Sequence, residues 1–324
     1  MIELIKRLML TPSVSGREDK IREVIIDEIK PHADTIDIDN MGNIIARKKG
    51  NGKKIMLCAH MDEIGFFVTH IDKSGIIRVS SVGGINPISS AYSEVVSENG
   101  VYGVLVPEKS GEKLSVEGMF IDIGAKTKKQ AESKVKIGDF FVCKPNIRRL
   151  MNRRYVGRPF DDRIGCAILI EAMKEAKSEN DLYFVFSTQE EVGGRGAKPA
   201  SYAVSPDIGI AYDVTRESTK PGSPQMEVKM GKGCAIKIKD SGVISSPTLV
   251  KQMREIAENN GIKYQNEILL SGGTDASPMQ VAGRGCHVSA ISIPSAYIHS
   301  NCEMIDMGDV YEAVKLTVAL VKEL

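Results

Sequence analysis

The sequence predicts an α/β fold in which the two ends of the chain form one domain and a β-rich segment is inserted between them. Toward both ends, apolar runs typical of strands alternate with apolar stripes at helical spacing. In the middle of the chain, short β-rich pieces alternate with turns. We therefore assign residues 1–66 and 159–324 to one α/β domain and residues 67–158 to an inserted small barrel or sandwich.

Composition limits the classes to which this chain of 324 residues can belong. Hydrophobic residues make up 42% and charged residues 26%, which favours a packed core and argues against disorder. The net charge of +1 argues against a nucleic-acid or anionic-membrane partner. We find no signal peptide and no apolar stretch near the ~18 residues of a membrane span. The six cysteines lack CxxC spacing, so the sequence predicts a cytoplasmic protein with reduced thiols.

Helices are predicted near the start of the chain and in its second half. The first 30 residues are predicted to be helical, with a capping box formed by Ser15 and Glu18. Apolar residues at helical spacing predict three further helices. These lie at about 163–177, at about 247–260 and from Val310 to the C-terminal end.

Strands are predicted on both sides of the insert. The segments 43–47 and 55–59 are predicted to form a hairpin around the Asn51-Gly52 turn. The second of these segments is apolar throughout, as expected for a strand that is buried on both faces. Two more strands are predicted, at 182–188 and at 208–214.

Acidic and histidine side chains gather where the predicted strands end. In α/β sheets, ligands bind at the carboxyl ends of strands, so this placement marks the region where chemistry is expected. Desolvating several carboxylates at one place costs several kcal/mol unless cations compensate. The set consists of His60, Asp62 and Glu63 after the strand at 55–59, Asp161 and Asp162 at the start of a helix, Glu190 and Glu191 after the strand at 182–188, Asp213 near the end of the strand at 208–214, and His299 after a short strand-like run.

Divalent metal ions are the natural compensation for such a cluster. Imidazole together with carboxylate suits zinc, cobalt or manganese better than calcium. Three carboxylates and two neutral imidazoles carry a charge of −3, two divalent ions carry +4, and one bridging hydroxide makes the site neutral. This sum makes a five-ligand site for two ions chemically reasonable.

Spacing within the motifs suggests a division of roles. His60 and Asp62 are two residues apart and would share a strand face, so that Asp62 could accept the second N–H of the imidazole. Glu190 and Glu191 are adjacent and would diverge in an extended segment. One of them could then bind metal while the other acts as a base.

Each motif alone also has a structural explanation. The His60–Asp62 pair could be structural, and the adjacent glutamates could be solvated surface. Either Asp161 or Asp162 could cap the helix that follows. His299 could be a core histidine with satisfied hydrogen bonds. Only the joint placement at strand ends favours a metal site.

Six motifs then give the chain a resemblance, along essentially its whole length, to the tetrahedral (TET) aminopeptidases. These are co-catalytic metallopeptidases of clan MH, and some carry the older names cellulase M or FrvX-like. The motifs match that family in order and spacing. They are HMDEIG at 60–65, FDDRIG at 160–165, STQEEVGGRGA at 187–197, AYDV at 211–214, GGTDA at 272–276 and YIHS at 297–300.

The resemblance implies an aminopeptidase that clips residues from peptide N-termini with two divalent ions, zinc or cobalt foremost and manganese as another candidate. The implied fold is a mixed-sheet, phosphorylase/hydrolase-like metallopeptidase domain with a PDZ-like dimerisation insert. A bridging water or hydroxide would be the nucleophile. Carried over residue by residue, the resemblance assigns one ion to His60, Asp161 and Asp213, the other to Asp161, Glu191 and His299 with Asp161 bridging, the general base to Glu190, and the support of His60 to Asp62.

The resemblance also implies a homo-oligomer, a hollow tetrahedron of twelve subunits built from dimers, whose inward-facing sites admit only peptides. Three alternatives stay open. A glycoside hydrolase (an endoglucanase) is suggested by the older family name, although that chemistry needs a carboxylate pair and no histidines. An N-acyl or deblocking peptidase and a non-catalytic assembly are the others.

Overall fold

The computed structural model describes residues 1–108, 114–223 and 225–324, which form a large mixed sheet, helices that cover it, and a separate antiparallel barrel. In chain order, the strands are β1 (Thr35–Ile38), β2 (Ile44–Lys48), β3 (Lys54–His60), β4 (Gly65–Ile71), β5 (Ile77–Val82), β6 (Glu94–Ser97), β7 (Tyr102–Pro107), β8 (Met119–Asp122), β9 (Phe140–Cys143), β10 (Asn146–Arg149), β11 (Arg154–Arg158), β12 (Asp181–Ser187), β13 (Ile208–Arg216), β14 (Cys234–Lys239), β15 (Tyr264–Ile268), β16 (His287–Ala296) and β17 (Glu303–Asp306). The helices are α1 (Ile2–Met9), α2 (Asp19–Ile29), α3 (Pro87–Ser90), α4 (Lys128–Glu132), α5 (Arg163–Glu175), α6 (Ala197–Val204), α7 (Pro247–Asn259), α8 (Ala276–Gln280) and α9 (Met307–Glu323).

The large sheet has a parallel centre. Its order is β1-β2-β12-β3-β13-β16-β17-β11-β10, and β14 pairs with both β16 and β15. The strands β12, β3, β13 and β16 run parallel to one another, so their carboxyl ends meet at one edge of the sheet. Apolar cores lie on both faces of this centre, as parallel strands require. These features confirm the predicted α/β class.

Helices cover the sheet on both faces. The larger core includes side chains from α1, α2, α5, α7 and α9, and the smaller one includes side chains from α6 and α8. Helix α5 is apolar around most of its circumference because it contacts both the sheet and the outer helices α1, α2 and α9. Within the described residues, no helix is both long and apolar enough to cross a membrane.

The insert is a closed barrel with the strand order β4-β5-β8-β7-β6-β9 and an apolar interior. The predicted β-rich character of the insert is therefore confirmed. Its strands run from Gly65 to Cys143, whereas β10 and β11 pair with each other and β11 pairs with β17 in the large sheet. As a proposal for the domain boundaries, we accordingly place the insert at about 65–143 rather than at 67–158.

The predicted hairpin of 43–47 with 55–59 is wrong. β2 and β3 do form, but β12 lies between them, antiparallel to β2 and parallel to β3. The backbone N–H groups of Asn51 and Gly52 donate to the carbonyl of Glu179, just before β12. β12, which follows α5 in the chain, therefore takes the place next to β3 that β2 was predicted to occupy. This arrangement buries β3 between two parallel neighbours, β12 and β13.

The first 30 residues contain two helices, α1 and α2, separated by a non-helical segment. The predicted capping box is wrong, because Ser15 caps neither helix. Glu18 stands at the N-cap position of α2 but makes no side-chain cap bond. Instead, Ser15 Oγ donates to Asp62 Oδ2 at 2.6 Å, and Glu18 Oε1 accepts from the backbone N–H groups of Gly16 and Gln189. Both side chains belong to the polar surroundings of the site described next.

Candidate metal centre

The candidate site lies at the carboxyl edge of the parallel strands. His60 is the last residue of β3, and Glu190 and Glu191 follow the end of β12. Asp213 lies within β13, three residues before its end. The remaining two residues come from loops, with Asp161 between β11 and α5 and His299 between β16 and β17.

Asp161 stands between the two imidazoles and meets one with each carboxylate oxygen. His60 Nε2 lies 3.2 Å from Asp161 Oδ1, and His299 Nε2 lies 3.1 Å from Asp161 Oδ2. His299 Nε2 is also 3.3 Å from Glu191 Oε2. A carboxylate that faces two separate groups of ligands can bridge two cations.

Both imidazoles are oriented by contacts to their other nitrogen. His60 Nδ1 lies 3.1 Å from the Asp62 carbonyl oxygen and 3.3 Å from Asp62 Oδ1. His299 Nδ1 lies 2.9 Å from the carbonyl oxygen of Gly84, which follows β5 of the barrel. Acceptors at Nδ1 favour a proton there and leave both Nε2 atoms free to bind a cation.

Asp62 does more than the spacing predicted. The backbone N–H of Glu190 donates to Asp62 Oδ1 at 3.0 Å, and that of Glu191 donates to Asp62 Oδ2 at 3.2 Å. A single fully buried carboxylate therefore holds both His60 and the loop that carries the two glutamates.

Glu190 and Asp213 face the same open space as the other groups. Glu190 Oε2 lies 4.0 Å from His60 Nε2. A cavity of about 590 Å³ is lined by Glu190, Asp213, Asp161 and His299, among other residues. Of the described residues that line it, Arg216 is the only lysine or arginine. The cavity is therefore strongly acidic where the proposed ligands meet.

The electrostatics of the cluster favour positive charge. Burial raises the pKa of Glu190 well above its usual range, and the charge of Asp213 adds to the shift. Burial alone would also raise the pKa of Asp161, but hydrogen bonds from His299 and His60 outweigh burial and lower that pKa. Burial alone would lower the pKa of His299, yet its bonds to Asp161 and Glu191 raise that pKa to about 12. Positive charge, whether carried by protons or by metal ions, stabilises these carboxylates.

The residues present fit divalent ions. His60, Asp161 and Glu191 offer ligand atoms that all lie within 4.8 Å of one another. His299 and a further buried carboxylate, Asp213, complete a donor set of imidazole nitrogen and carboxylate oxygen, which suits zinc, cobalt or manganese. Carboxylates outnumber imidazoles in this set, so bound cations would also neutralise its net negative charge.

Two residues of the sequence motifs have structural positions instead. Asp162 caps α5, because its Oδ1 accepts the backbone N–H of Gly165 at 3.0 Å. Glu63 turns away from the cavity and lies 3.6 Å from Arg158 and 3.5 Å from Arg163 in a fully buried ion cluster.

Two further groups were missed by sequence reasoning. Glu303 accepts backbone N–H groups from the loops of Asp161 and His299, and the carbonyl of Gly84 fixes the His299 ring. The glutamate could have been suspected, because it lies four residues after His299 and directly before the apolar pair Met304 and Ile305. No local pattern could have found Gly84, because a backbone carbonyl carries no residue signature.

Comparison with known proteins relates the chain to aminopeptidases. The family model described as M42 glutamyl aminopeptidase matches residues 42–316. A protein of Acetivibrio thermocellus, provisionally named an aminopeptidase, is 45% identical over 322 residues, which cover 98% of this chain and 97% of that protein.

Solved structures extend the similarity to the whole fold. An aminopeptidase of the archaeon Desulfurococcus kamchatkensis matches with a TM-score of 0.96 and 37% identity, covering 100% of this chain and 94% of the other. The Pyrococcus horikoshii TET1 peptidase, described as able to assemble into a tetrahedron or a large octahedral shell, matches with a TM-score of 0.91 and 36% identity over 100% of this chain and 99% of the other.

Proposed function

The chain belongs to the M42 glutamyl aminopeptidase family, and from this premise we propose that it removes N-terminal residues from peptides with two divalent metal ions and Glu190 as the general base. That the chain is an aminopeptidase follows from the family. The observation that carries the dinuclear proposal is Asp161, whose two oxygens each lie within 3.2 Å of a different imidazole.

The ligand sets follow from that bridge. We assign one ion to His60, Asp161 and Asp213, and the other to Asp161, Glu191 and His299. The assignment is supported by the 3.3 Å contact between His299 and Glu191 and by the cavity that Asp213 and Asp161 share. Zinc and cobalt are the proposed ions, with manganese as a further candidate.

The chemistry is hydrolysis of a peptide bond. Divalent ions at the site would supply Lewis acidity, which favours deprotonation of water near neutral pH and polarises a carbonyl. Glu190 accepts a proton from the attacking water and later donates it to the amine that leaves as the C–N bond breaks. Burial supports this role of Glu190, because it raises the pKa of its carboxyl and so favours uptake of a proton from water.

Asp62 contributes by position. It holds the His60 ring and the backbone of Glu190 at the same time, so the base and His60 keep a fixed separation. Carboxylates not consumed by the metals would attract the free α-amine of the substrate. Capture of that amine explains exopeptidase action.

The variant Glu190→Gln tests this proposal. We expect it to keep two metal ions per subunit by elemental analysis while kcat falls by roughly 10²- to 10⁴-fold, the usual size of general-base effects. Wild-type protein stripped by a chelator is the metal-free reference and should be inactive until zinc or cobalt is restored. Glu255→Gln, on the exposed face of α7, is the matched control and should behave as wild type.

The outcomes against the proposal are specific. A Glu190→Gln variant that turns over normally with both ions bound would remove the base from the mechanism. Full activity in verified metal-free protein would end the metallopeptidase proposal. The substrate panel should include aminoacyl-nitroanilides, N-acetylated peptides and carboxymethylcellulose. Turnover of only the second or third class would favour the deblocking peptidase or the endoglucanase.

We further propose that the protein is a cytoplasmic homododecamer, a tetrahedron built from dimers through the barrel. The similarity to the TET1 peptidase and the exposed apolar side chains Ile88, Tyr92, Tyr102 and Ile137 on the insert support this assembly. The six free cysteines suit a reducing compartment. Light scattering on the purified chain should give a mass near twelve subunits, and a stable monomer would contradict the proposal.

A further inference from the structure

A buried glutamate outside the proposed ligand set joins the two loops that bring Asp161 and His299 into the site. Glu303 opens β17 and is 2% exposed. Its Oε2 accepts the backbone N–H of Phe160 at 2.6 Å and that of Asp161 at 3.2 Å. Its Oε1 accepts the backbone N–H of His299 at 3.2 Å. One carboxylate therefore receives three N–H groups from two separate loops.

Neither loop is fixed by regular secondary structure at these points. Asp161 precedes the first turn of α5, and His299 lies in the connection between β16 and β17. His299 has a φ of 62°, in the left-handed region that side chains other than glycine seldom adopt. Such a conformation persists only where surrounding contacts hold it, and the bond from its N–H to Glu303 is one of those contacts.

The register of the sheet brings the carboxylate to this position. Glu303 is paired with Gly157 of β11, so it lies beside the chain just before Phe160 and Asp161. The hairpin of β16 and β17 returns the same residue next to His299. Tertiary pairing thus makes one side chain the shared anchor of both loops.

We infer that Glu303 is a positioning residue that sets the separation between Asp161 and His299, and thereby the affinity for the ion that Asp161, Glu191 and His299 would hold. This inference rests on the proposed dinuclear function. The other ion should depend on Glu303 less, because His60 ends a core strand and Asp213 lies within one. Removal of Glu303 should therefore weaken the two ions unequally.

The test is zinc titration of metal-free protein by calorimetry, which does not depend on activity. Glu303→Gln can offer one acceptor oxygen, so it can satisfy one loop but not both. We expect one zinc site of the variant to weaken by about 10- to 100-fold while the other stays within about threefold of wild type. At saturating zinc, kcat should recover and KM for the aminoacyl substrate should be unchanged.

Asp309→Asn is the matched control. Asp309 is also a buried carboxylate that accepts two backbone N–H groups from a distant loop, those of Gly231 and Gly233, but it contacts none of the proposed ligands in the described part of the chain. We expect Asp309→Asn to change the melting temperature about as much as Glu303→Gln does, while its affinities for both zinc ions stay at the wild-type values. Glu303→Asp keeps the charge on a shorter side chain and replaces Glu303→Gln in the test if that variant does not fold. We expect it to lose zinc affinity at one site only, by less than Glu303→Gln.

The results separate this inference from the proposed function. Wild-type protein that binds fewer than two zinc ions would contradict the dinuclear proposal itself. Two zinc ions in the wild type, with unchanged affinities in Glu303→Gln or in Glu303→Asp, would overturn only the role of Glu303. Equal weakening of both ions in Glu303→Gln, Glu303→Asp and Asp309→Asn would also overturn it, since general destabilisation would then explain the effect.

Discussion

The part of the site around His60 (the His60 half) and the part around His299 (the His299 half) are built in opposite ways. His60 is the last residue of a buried central strand, is 1% exposed, and has its ring oriented by Asp62 two residues further along the chain. His299 stands in a loop with a left-handed backbone, has a side chain that is 29% exposed, and has its ring oriented by Gly84 of the barrel. One half is a product of the sheet, and the other depends on contacts between distant segments.

This difference indicates where the site can be altered without damage to the fold. The His60 half shares its atoms with the core, so changes there should cost both activity and stability. The His299 half is held by contacts with Gly84 of the insert and with Glu303, so changes in this half should weaken metal binding more than they lower stability. Coupling between the barrel and the chemistry is expected only on the His299 side.

The largest effect is expected from the pair of variants His60→Ala and His299→Ala. Each removes a proposed ligand and should lower kcat/KM by at least roughly 100-fold, equivalent to about 3 kcal/mol of transition-state stabilisation. Their stabilities should differ. For metal-free protein, the free energy of unfolding should fall by about 3 kcal/mol in His60→Ala, because buried Asp161 and Asp62 lose a partner. The loss in His299→Ala should be about 1 kcal/mol, because water can reach that position.

Urea unfolding monitored by circular dichroism measures this contrast, and the exposed histidine His70 offers the control His70→Ala. Equal losses of stability in the two site variants would remove the distinction between the halves.

A smaller effect is expected from Gly84→Ala in the insert. A Cβ at this position would lie 3.1 Å from His299 Nδ1 and 3.2 Å from its Cε1, so the ring must shift by a few tenths of an ångström. We expect kcat/KM to fall about tenfold, with a weaker zinc site and little change in melting temperature. Gly118→Ala, whose Cβ would make an ordinary 3.5 Å contact with Ser115, is the control in the same barrel. A Gly84→Ala enzyme with normal kinetics would show that the barrel does not hold His299.

The smallest effect concerns Glu18, which lies behind the His60 half. Burial, together with the charge of Asp62, raises the pKa of Glu18 from 4.5 to about 7. Since the folded-state pKa exceeds the unfolded value, the folded protein loses stability as the pH rises from about 4.5 to about 7, and the loss is complete above that range. Glu18→Gln removes the charge and keeps the oxygen that accepts the N–H groups of Gly16 and Gln189.

We therefore expect Glu18→Gln to be more stable than wild type by about 2 kcal/mol at pH 8, with the difference shrinking as the pH approaches 4.5. Denaturation curves across this range measure it, and Glu3→Gln at the exposed start of α1 is the control. A difference that does not change with pH would mean that Glu18 is ionised to the same degree in both states.

Much of the site was accessible from sequence, because its signals are local. Apolar strands that end in His60, shortly before Glu190 and Glu191, or shortly after Asp213 predict a carboxyl-edge site. The α/β class, the β-rich insert and helices α5, α7 and α9 follow from hydrophobic periodicity in the same way. Periodicity is a property of neighbouring residues, so it survives without knowledge of the fold.

The failures share one cause. Sequence reasoning joined 43–47 to 55–59 and paired Ser15 with Glu18, because neighbours were assumed to be partners. In the structure, β12 separates the two strands, and Ser15 and Glu18 turn toward Asp62 and Gln189. Long-range burial outweighs the gain from a local turn or cap.

By itself, the sequence determined the fold class and pointed to the residues that we propose hold metal and move a proton. Only the tertiary structure decided how they are held: Asp161 between two imidazoles, Asp62 beneath the glutamate loop, and Glu303 and Gly84 around His299. The reason is physical, because backbone N–H and carbonyl groups are identical at every residue. The hydrogen-bond partners of these backbone groups depend on which segments the fold brings together, so they cannot be predicted from the pattern of side chains.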